Sequence, residues 1–414
     1  MQGGYFYLLL LLLLLLLGSL VSAAIACSTE PANLTTFDVR DFGAISAGGN
    51  IDNSEAFLLA WNATCNSESE ISTLIVPRRK FLVNPVVFGG PCKPKIINFL
   101  ILGRLLAPNS PEAWKELDQS QWLAFKRVSG LKVVGPGRIN GRGKGWWDQS
   151  CRDHPGLKGC TVLAPTAVKF VSCNNSSISE VHFVNSSQVH VLIEGCEGIH
   201  IENVLIEAPE RSPNTDGIHI SASHYVFVTN AIIATGDDCV SIGDHTSNIV
   251  VSYVKCGPGH GISIGSLGRS GNFVQVENIH VTQVYLQGTT NGARIKTWQA
   301  GKGYVRRVTF EHMFFRSVKN PIIIDQNYCS KRGACKELDT GVHISDVSFN
   351  NLYGTSSSQV AINLNCSRSV ACTGVFLKSI YLRPAIQGQN LTSNCTNAHG
   401  IAFGVIQPEP CLQI

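Results

Sequence analysis

The sequence predicts an all-β fold, a single-stranded right-handed parallel β-helix (a solenoid) with a short N-terminal capping helix. From about residue 167 onward, short β-branched segments alternate with turns rich in Gly, Asn and Ser. Segments that begin at residues 217, 239 and 261 share one shape and follow one another at a period of 22 residues. A period of this size is typical of a solenoid, and one β-branched strand type per coil indicates a β-helix.

The interior of this solenoid is predicted from the repeats. Ile218, Val240 and Ile262 occupy equivalent positions and are expected to stack inside the coils. The polar residue that follows each of them is expected to face outward, because successive strand residues point to opposite sides. A leucine-rich repeat is the rival architecture, but its Leu-x-x-Leu-x-Leu signature is absent.

A short helix is predicted before the first repeats. Asn53 or Ser54 is a suitable N-cap for a helix that contains the apolar run 56–61. Such a helix is expected to cover the open N-terminal end of the solenoid. No linker divides the rest of the chain, so residues 24–414 are predicted to form a single domain.

Residues 1–23 are predicted to be a signal peptide. An unbroken leucine run, Leu8 to Leu17, is followed by the small-residue cleavage pattern Val-Ser-Ala at 21–23. An uncleaved anchor is the alternative, because the apolar stretch 5–26 is just long enough to span a bilayer. We expect cleavage, secretion to the extracellular space or cell wall, and no stable membrane association afterwards.

The fifteen cysteines fit an oxidising compartment. Their order suggests six local pairs: Cys65–Cys92, Cys151–Cys160, Cys239–Cys256, Cys329–Cys335, Cys366–Cys372 and Cys395–Cys411. Cys27, Cys173 and Cys196 remain, and the last two lie in apolar patterns where free cysteine behaves as a small buried hydrophobe. Candidate N-glycosylation sites occur at Asn33, Asn62, Asn174, Asn175, Asn185, Asn365, Asn390 and Asn394.

The charge balance limits the classes of partner. The formal net charge is only +4, and the sequence contains no long run of Lys or Arg. This balance argues against nucleic-acid binding, although a local basic patch facing an acidic polymer is compatible with it. We expect a monomer.

The residues with chemical potential precede the repeated strands. Asp216, Asp238 and His260 are spaced by 22 and 22 residues, which is the period itself, and Asp237 lies beside them. Residues one period apart in a solenoid lie above one another, with adjacent strands about 4.8 Å apart. The three are therefore expected to form a short ladder.

This ladder suggests acid–base chemistry on a sugar. Repulsion among three carboxylates can keep one of them protonated beside an ionised one. Glycosidic cleavage needs an acid for the leaving oxygen and a carboxylate for water or the sugar. Arg294 and Lys296 lie two residues apart, on one face of the next strand, where they are suited to bind a substrate carboxylate.

Each residue has a simpler interpretation when taken alone. Asp-Asp before a strand is common turn chemistry, a carboxylate cluster also binds calcium, and a lone turn His or surface Arg is usually structural. The coincidence of all of them at one period favours the functional interpretation.

The same residues carry a family resemblance. Segments 214–216 (Asn-Thr-Asp), 236–238 (Gly-Asp-Asp), 259–261 (Gly-His-Gly) and 294–296 (Arg-Ile-Lys), followed by Tyr328, resemble the motifs of polygalacturonases, glycoside hydrolase family 28. All five occur in the family's order, and the resemblance extends from about Phe37 to the C-terminus. Residues 135–143 with Trp146 and Trp147 are similar to the plant branch.

The resemblance implies hydrolysis of the α-1,4 bonds of pectic polygalacturonate, with inversion and without a cofactor or metal. It implies that Asp237 is the general acid and that Asp216 and Asp238 activate the water. With these roles, we expect repulsion from Asp216 and Asp238 to keep Asp237 protonated. It further implies that His260 supports the acid. The implied substrate-binding residues are Asn214, Arg294, Lys296 and Tyr328. The spacing of one strand, by itself, is closer to the short carboxyl separation of retaining enzymes.

Two other functions stay open at this point. A pectate lyase is also a β-helix, but it needs calcium and leaves an unsaturated product. A non-catalytic pectin-binding or wall-structural protein is the third reading, which the five intact motifs disfavour. Endo or exo attack is not determined by the sequence.

Overall fold

The computed structural model describes residues 33–329 and 335–414. Leu34–Ile414 forms one compact unit. The predicted signal peptide lies outside the described residues, and no described helix is long and apolar enough to cross a membrane. The helices are α1 (Ser54–Cys65) and α2 (Lys144–Trp147), with short 3-10 helices at Val39–Phe42, Pro111–Trp114 and Arg269–Gly271.

Strands make up most of the described chain. In chain order they are β1 Leu34–Asp38, β2 Ile71–Val76, β3 Lys80–Leu82, β4 Val86–Gly89, β5 Ile96–Ile101, β6 Arg104–Leu106, β7 Gln121–Lys126, β8 Leu131–Val134, β9 Arg138–Asn140, β10 Thr166–Val171, β11 Asn174–Ser179, β12 His182–Val184, β13 Val191–Glu194, β14 Glu197–Glu202, β15 Leu205–Glu207, β16 Ile218–Ser221, β17 His224–Ala234, β18 Val240–Ile242, β19 Thr246–Cys256, β20 Ile262–Leu267, β21 Phe273–Gln287, β22 Asn291–Thr297, β23 Lys302–Val318, β24 Asn320–Asp325, β25 His343–Ser356, β26 Val360–Asn365, β27 Cys372–Pro384, β28 Thr392–Thr396 and β29 Ala398–Gln407.

The strands form two long parallel sheets that wind into a β-helix, as predicted. One sheet has 11 strands and the other has 18. A typical coil contributes one strand to the 11-stranded sheet, such as β13, and then one or two to the 18-stranded sheet, such as β14 and β15. Because the strands of successive coils pair in parallel, residues one coil apart become direct neighbours.

The predicted interior stack is confirmed. Ile218 pairs with Val240, Val240 with Ile262, and Ile262 with Ala293, and all four are fully buried. The alternate residues form a second, polar stack on the outer face of the 11-stranded sheet: His219, Ser241, Ser263 and Arg294. Burying each aliphatic side chain contributes roughly 1.5–3 kcal/mol, so the repeated core holds the outer stack in register.

Helix α1 closes the N-terminal end, as predicted. The Asn53 side chain makes no capping hydrogen bond; Asp52 accepts from the Ser54 backbone N–H at 3.1 Å instead. On the buried face, the ring centroid of Trp61 lies 5.3 Å from that of Phe88 and 5.7 Å from that of Phe125. Through these aromatic contacts, the helix covers the apolar end of the first coils, where no further coil packs.

All six predicted disulfides are confirmed. Cys173 and Cys196 are free and buried, as expected, while Cys27 lies outside the described residues. One disulfide, Cys151–Cys160, closes a loop that projects from the coil after α2. That loop contributes a residue to the site described next.

Candidate active site

The site lies on the outer face of the 11-stranded sheet, at the turns that lead into β16, β18 and β20. Asp216 precedes β16, Asp237 and Asp238 precede β18, and His260 precedes β20. The coils therefore bring together residues that the period of 22 predicted to be neighbours. The carboxylates of Asp237 and Asp238 and the imidazole of His260 offer atoms that all lie within 4.8 Å of one another.

Asp238 is almost fully buried and is held by two basic side chains. Its Oδ1 accepts a hydrogen bond from the guanidinium of Arg294 at 2.6 Å, and its Oδ2 accepts from the ammonium of Lys296 at 3.0 Å. Ser263, from the outer stack, also donates to Oδ1 at 2.8 Å. These donors fix the carboxylate and balance its charge.

Asp216 has a different environment. Its Oδ2 accepts from Ser241 at 2.7 Å, and no described protein group bonds to its Oδ1. Burial, together with the negative charges of Asp237 and Asp238, raises the pKa of Asp216 well above its ordinary value. The buried imidazole of His190, 3.1 Å from the Asp216 carbonyl oxygen, fixes the backbone at this turn. Asp216, which with Asp237 and Asp238 makes up the trio of carboxylates, thus holds a proton more readily than an ordinary aspartate does.

Asp237 lies between two cationic or proton-bearing groups. Its Oδ1 is 2.9 Å from Nδ1 of His260, and its Oδ2 accepts from the guanidinium of Arg152 at 2.7 Å. Burial alone would raise the pKa of Asp237, but the hydrogen bond and charge of His260 and the charge of Arg152 together outweigh it and lower that pKa.

This arrangement differs from the expectation that repulsion keeps Asp237 protonated. Burial and, after it, repulsion raise the pKa of Asp216 instead, because Asp237 has Arg152 and His260 as counter-charges. The sequence analysis missed Arg152, which is 85 positions from Asp237 and lies outside the repeats. The available signal was its place inside the Cys151–Cys160 loop, directly after α2.

His260 lies on the coil after Asp238, as the spacing of 22 residues predicts, but its side chain contacts Asp237 rather than Asp238. Its backbone N–H donates to the Asp237 carbonyl at 2.8 Å, and the ring bonds the Asp237 carboxylate. The turn that presents it needs glycine. Gly261 has φ +86°, and a Cβ there would lie 2.1 Å from the carbonyl oxygen of Asn291 on the next coil.

A cavity of 290 Å³ adjoins the trio on its C-terminal side. Arg294, Lys296 and Tyr328 line it, as expected for substrate-binding residues, and Asn291 and Asp325 complete its polar wall. The Lys296 ammonium lies 5.4 Å from the centre of the Tyr328 ring. The cavity therefore combines two cations with an aromatic ring, a combination suited to an anionic sugar.

The fourth predicted binding residue, Asn214, lies in the turn before Asp216. It is exposed and has a left-handed backbone with φ +55°. A second, small cavity next to it is bordered by Trp146, Trp147 and Gln188. Asn214 thus borders the other end of the same outer face.

A calcium ion fits this carboxylate cluster poorly. Both oxygens of Asp238 accept from Arg294 or Lys296, and both oxygens of Asp237 bond to His260 or Arg152. Calcium takes six to eight oxygen ligands, and here it would have to displace these bonds and lie beside three cations. The donor set suits proton transfer better than metal binding.

The chain is similar to known proteins in both sequence and fold. Glycosyl hydrolases family 28 matches residues 65–406. A polygalacturonase from Malus domestica is 41% identical over 389 residues, which cover 94% of this chain and 81% of the relative. Two solved structures share the fold: an endo-xylogalacturonan hydrolase from Aspergillus tubingensis (TM-score 0.75, 22% identity, 89% of this chain and 100% of that one) and a polygalacturonase from Erwinia carotovora (TM-score 0.69, 22% identity, 90% and 97%).

The family match spans most of the chain and includes every turn of the site. Together with the identity to the plant relative, it establishes what kind of protein carries this site. The chain belongs to family 28 of the glycosyl hydrolases.

Proposed function

We propose that the protein is a secreted polygalacturonase that hydrolyses the α-1,4 bonds between galacturonate residues of pectic homogalacturonan. The observation that carries the proposal is the group of three carboxylates, Asp216, Asp237 and Asp238, beside a cavity with two cations and a tyrosine. The trio supplies an acid and a base, and the cavity accepts a charged sugar. The plant relative that covers most of the chain bears the name polygalacturonase.

In the proposed reaction, Asp216 and Asp238 position and activate one water. The free Oδ1 of Asp216 accepts the proton of that water as its oxygen attacks C1 of the sugar. The bond between C1 and the bridging O4 breaks, and Asp237 gives its proton to O4. The net change is the addition of one water, with inversion at C1 because water attacks directly.

This scheme requires the single proton of the trio to reach Asp237 before the bond breaks. Three coupled carboxylates titrate as a unit, so the site can hold that proton on Asp216 at rest and on Asp237 with substrate bound. We propose that a substrate carboxylate draws Arg152 away from Asp237. Loss of this cation, whose side chain is 42% exposed, raises the affinity of Asp237 for the proton.

Arg294 and Lys296 have two tasks in this proposal. They hold Asp238 in the free protein, and their remaining donors face the cavity beside Tyr328. Bidentate pairing with Arg294 selects a free carboxylate over its methyl ester, because the ester lacks the charge and one acceptor. The substrate is therefore the de-esterified polymer.

The direct test is incubation of the purified protein with polygalacturonic acid in EDTA, with the products sized and their new ends identified. We expect reducing oligogalacturonates without ultraviolet absorbance, and proton NMR of the fresh products should show the inverted anomer. Activity that requires calcium and yields an unsaturated end would establish a lyase instead. Binding without any cleavage would favour the non-catalytic reading.

A further inference from the structure

A patch of cations lies away from the site, on the outer face of the 18-stranded sheet. Lys80 pairs in register with Arg104, Arg104 with Arg138, and Arg138 with His182, so three permanent cations stack on consecutive coils. Arg78 and Arg79 lie beside Lys80, and these three are exposed. We call Arg78, Arg79, Lys80, Arg104 and Arg138 the cationic ladder.

The cationic ladder has no acidic counterpart. Within residues 33–329 and 335–414, no carboxylate oxygen lies within 4.0 Å of any of its five charged groups. Elsewhere the protein places opposite charges on adjacent coils. Lys95 lies 2.6 Å from Glu70, and Arg306, which is in register with Glu277, lies 2.7 Å from it.

Such a stack is unfavourable for folding alone. Like charges directly opposite each other on neighbouring strands destabilise a sheet, and a single Glu at the central position would relieve this. The stack of unpaired cations ends at His182, the next residue in register, because His182 is paired with Glu207 at 2.7 Å. The repulsion is therefore confined to one face of the first coils.

The shape of the ladder fits a linear polyanion. Lys80, Arg104 and Arg138 repeat at the coil spacing of about 4.8 Å along the helix axis. A cavity of 380 Å³ is lined by Arg78, Arg79, Lys80 and Arg104. A chain of acidic sugars carries one carboxylate on each unit, so several units can meet successive cations at once. The proposed substrate, which has this character, is the polyanion that the enzyme meets at high concentration.

We propose that the cationic ladder is a second binding site for de-esterified pectic chains, separate from the catalytic cleft. This inference rests on the proposed function for the identity of the polymer. The stacked members of the ladder, Lys80, Arg104 and Arg138, belong to strands β3, β6 and β9, several coils before β16 and on the other sheet, and its other two members directly precede β3. A chain bound there holds the enzyme on the polymer without occupying the carboxylate trio, so it raises the local substrate concentration.

The test uses the full-length mature protein with Lys80→Gln, Arg104→Gln and Arg138→Gln combined. The matched control combines Lys132→Gln, Lys255→Gln and Arg316→Gln, which removes three exposed cations that are not stacked. Both sets change the net charge equally. Binding to immobilised polygalacturonate is measured over a range of salt in an Asp238→Asn background, which prevents digestion, and circular dichroism verifies the fold.

We expect the ladder variant to bind about tenfold more weakly at low salt, with a shallower salt dependence, and the control to change less than twofold. Highly methyl-esterified pectin should not distinguish the two variants. In the active background, kcat on trigalacturonate should stay unchanged for both, because a trimer is too short to use the ladder.

Equal binding by the ladder variant and the parent protein, or an equal loss in the control, would overturn the proposal. A loss of trimer hydrolysis confined to the ladder variant would also overturn it, because the ladder would then be part of the cleft. If the parent protein cleaves no oligogalacturonate, the proposed function fails on its own, and the binding comparison still decides whether the ladder recognises a polyanion. Should the combined variant not fold, Arg104→Gln alone is measured against Lys132→Gln by the same criteria.

Discussion

At the level of single residues, the site depends on how three carboxylates are balanced by different partners. Asp238 has Arg294 and Lys296, and Asp237 has Arg152 and His260. Asp216 has only the hydroxyl of Ser241 among the described residues, and its pKa is raised. All three residues are aspartates, so Asp216 differs from Asp237 and Asp238 only in the side chains that surround its carboxylate.

The sequence predicted the members of this site but not the distribution of its proton. The period of 22 placed Asp216, Asp238 and His260 on adjacent coils, which the structure confirms. It carried no information on Arg152, because a disulfide-closed loop follows no repeat. The pKa of Asp237 depends on that loop, so it could not be predicted from spacing alone.

Arg152→Gln should shift the pH dependence of catalysis. The change removes a cation that lowers the pKa of Asp237, so that pKa rises. Activity needs the one proton that Asp216, Asp237 and Asp238 share, and it falls as pH increases through the pKa at which the free enzyme loses that proton. Removal of the Arg152 charge strengthens the hold of these carboxylates on the proton, so the alkaline limb of kcat/KM, which reports the free enzyme, should move to higher pH.

Lys158→Gln, in the same disulfide loop, is the matched control, because it removes an exposed charge without contacting Asp237. Its pH profile should coincide with that of the parent protein. An unchanged alkaline limb in Arg152→Gln would show that the ion pair does not control the acid.

At the level of elements, the strands set the register of the site and the turns carry its acidic residues. The buried stack of Ile218, Val240 and Ile262 sets the register, and the outer stack then delivers Ser241 and Ser263 to the carboxylates. The strands were predictable because alternation and period are visible in the sequence. The contacts of the turns were not, since each depends on a unique backbone path.

Gly261→Ala should damage the site through its backbone. A Cβ at this position meets the Asn291 carbonyl oxygen at 2.1 Å, so the turn that carries His260 must shift. We expect kcat to fall at least tenfold, since His260 would no longer lie on Asp237. The free energy of unfolding should fall as well, and both are measured by steady-state kinetics and denaturant titration.

Gly43→Ala is the control for backbone conformation. Gly43 has a similar φ of +96°, but nothing lies within 4 Å of its added Cβ. It should lose only the cost of a left-handed residue, about 1–2 kcal/mol, with kcat unchanged. Equal kinetic effects of the two substitutions would contradict the role assigned to the Gly261 turn.

At the level of the whole molecule, the β-helix provides a long outer face, and α1 covers the N-terminal end of its core. The structure confirms the predicted fold. It could be predicted because the same strand pattern recurs in several coils of the sequence. The confirmed disulfides fit the expected oxidising compartment, and they close local loops instead of joining distant coils.

Secretion is predicted from the N-terminal sequence rather than from the fold. The mature chain should begin near Ala24 and carry N-glycans, because the leucine run and the small residues before this position match the pattern of a cleavable signal. N-terminal sequencing of the protein expressed in a secretory host provides the measurement. A chain that starts at Met1 and sediments with membranes would support the anchor alternative.

The central claim, that Asp237 protonates the leaving oxygen while Asp238 serves the water, is tested most directly by combining substitution with leaving-group quality. Asp237→Asn should lower turnover of polygalacturonate by about 10²–10⁴-fold, because it removes the proton donor at nearly constant volume. Asp238→Asn should be comparably impaired. The two are then compared on a galacturonide whose aryl leaving group needs little protonation. The account predicts partial rescue of Asp237→Asn and no rescue of Asp238→Asn; equal rescue of both, or near-normal turnover of polygalacturonate by Asp237→Asn, would contradict it.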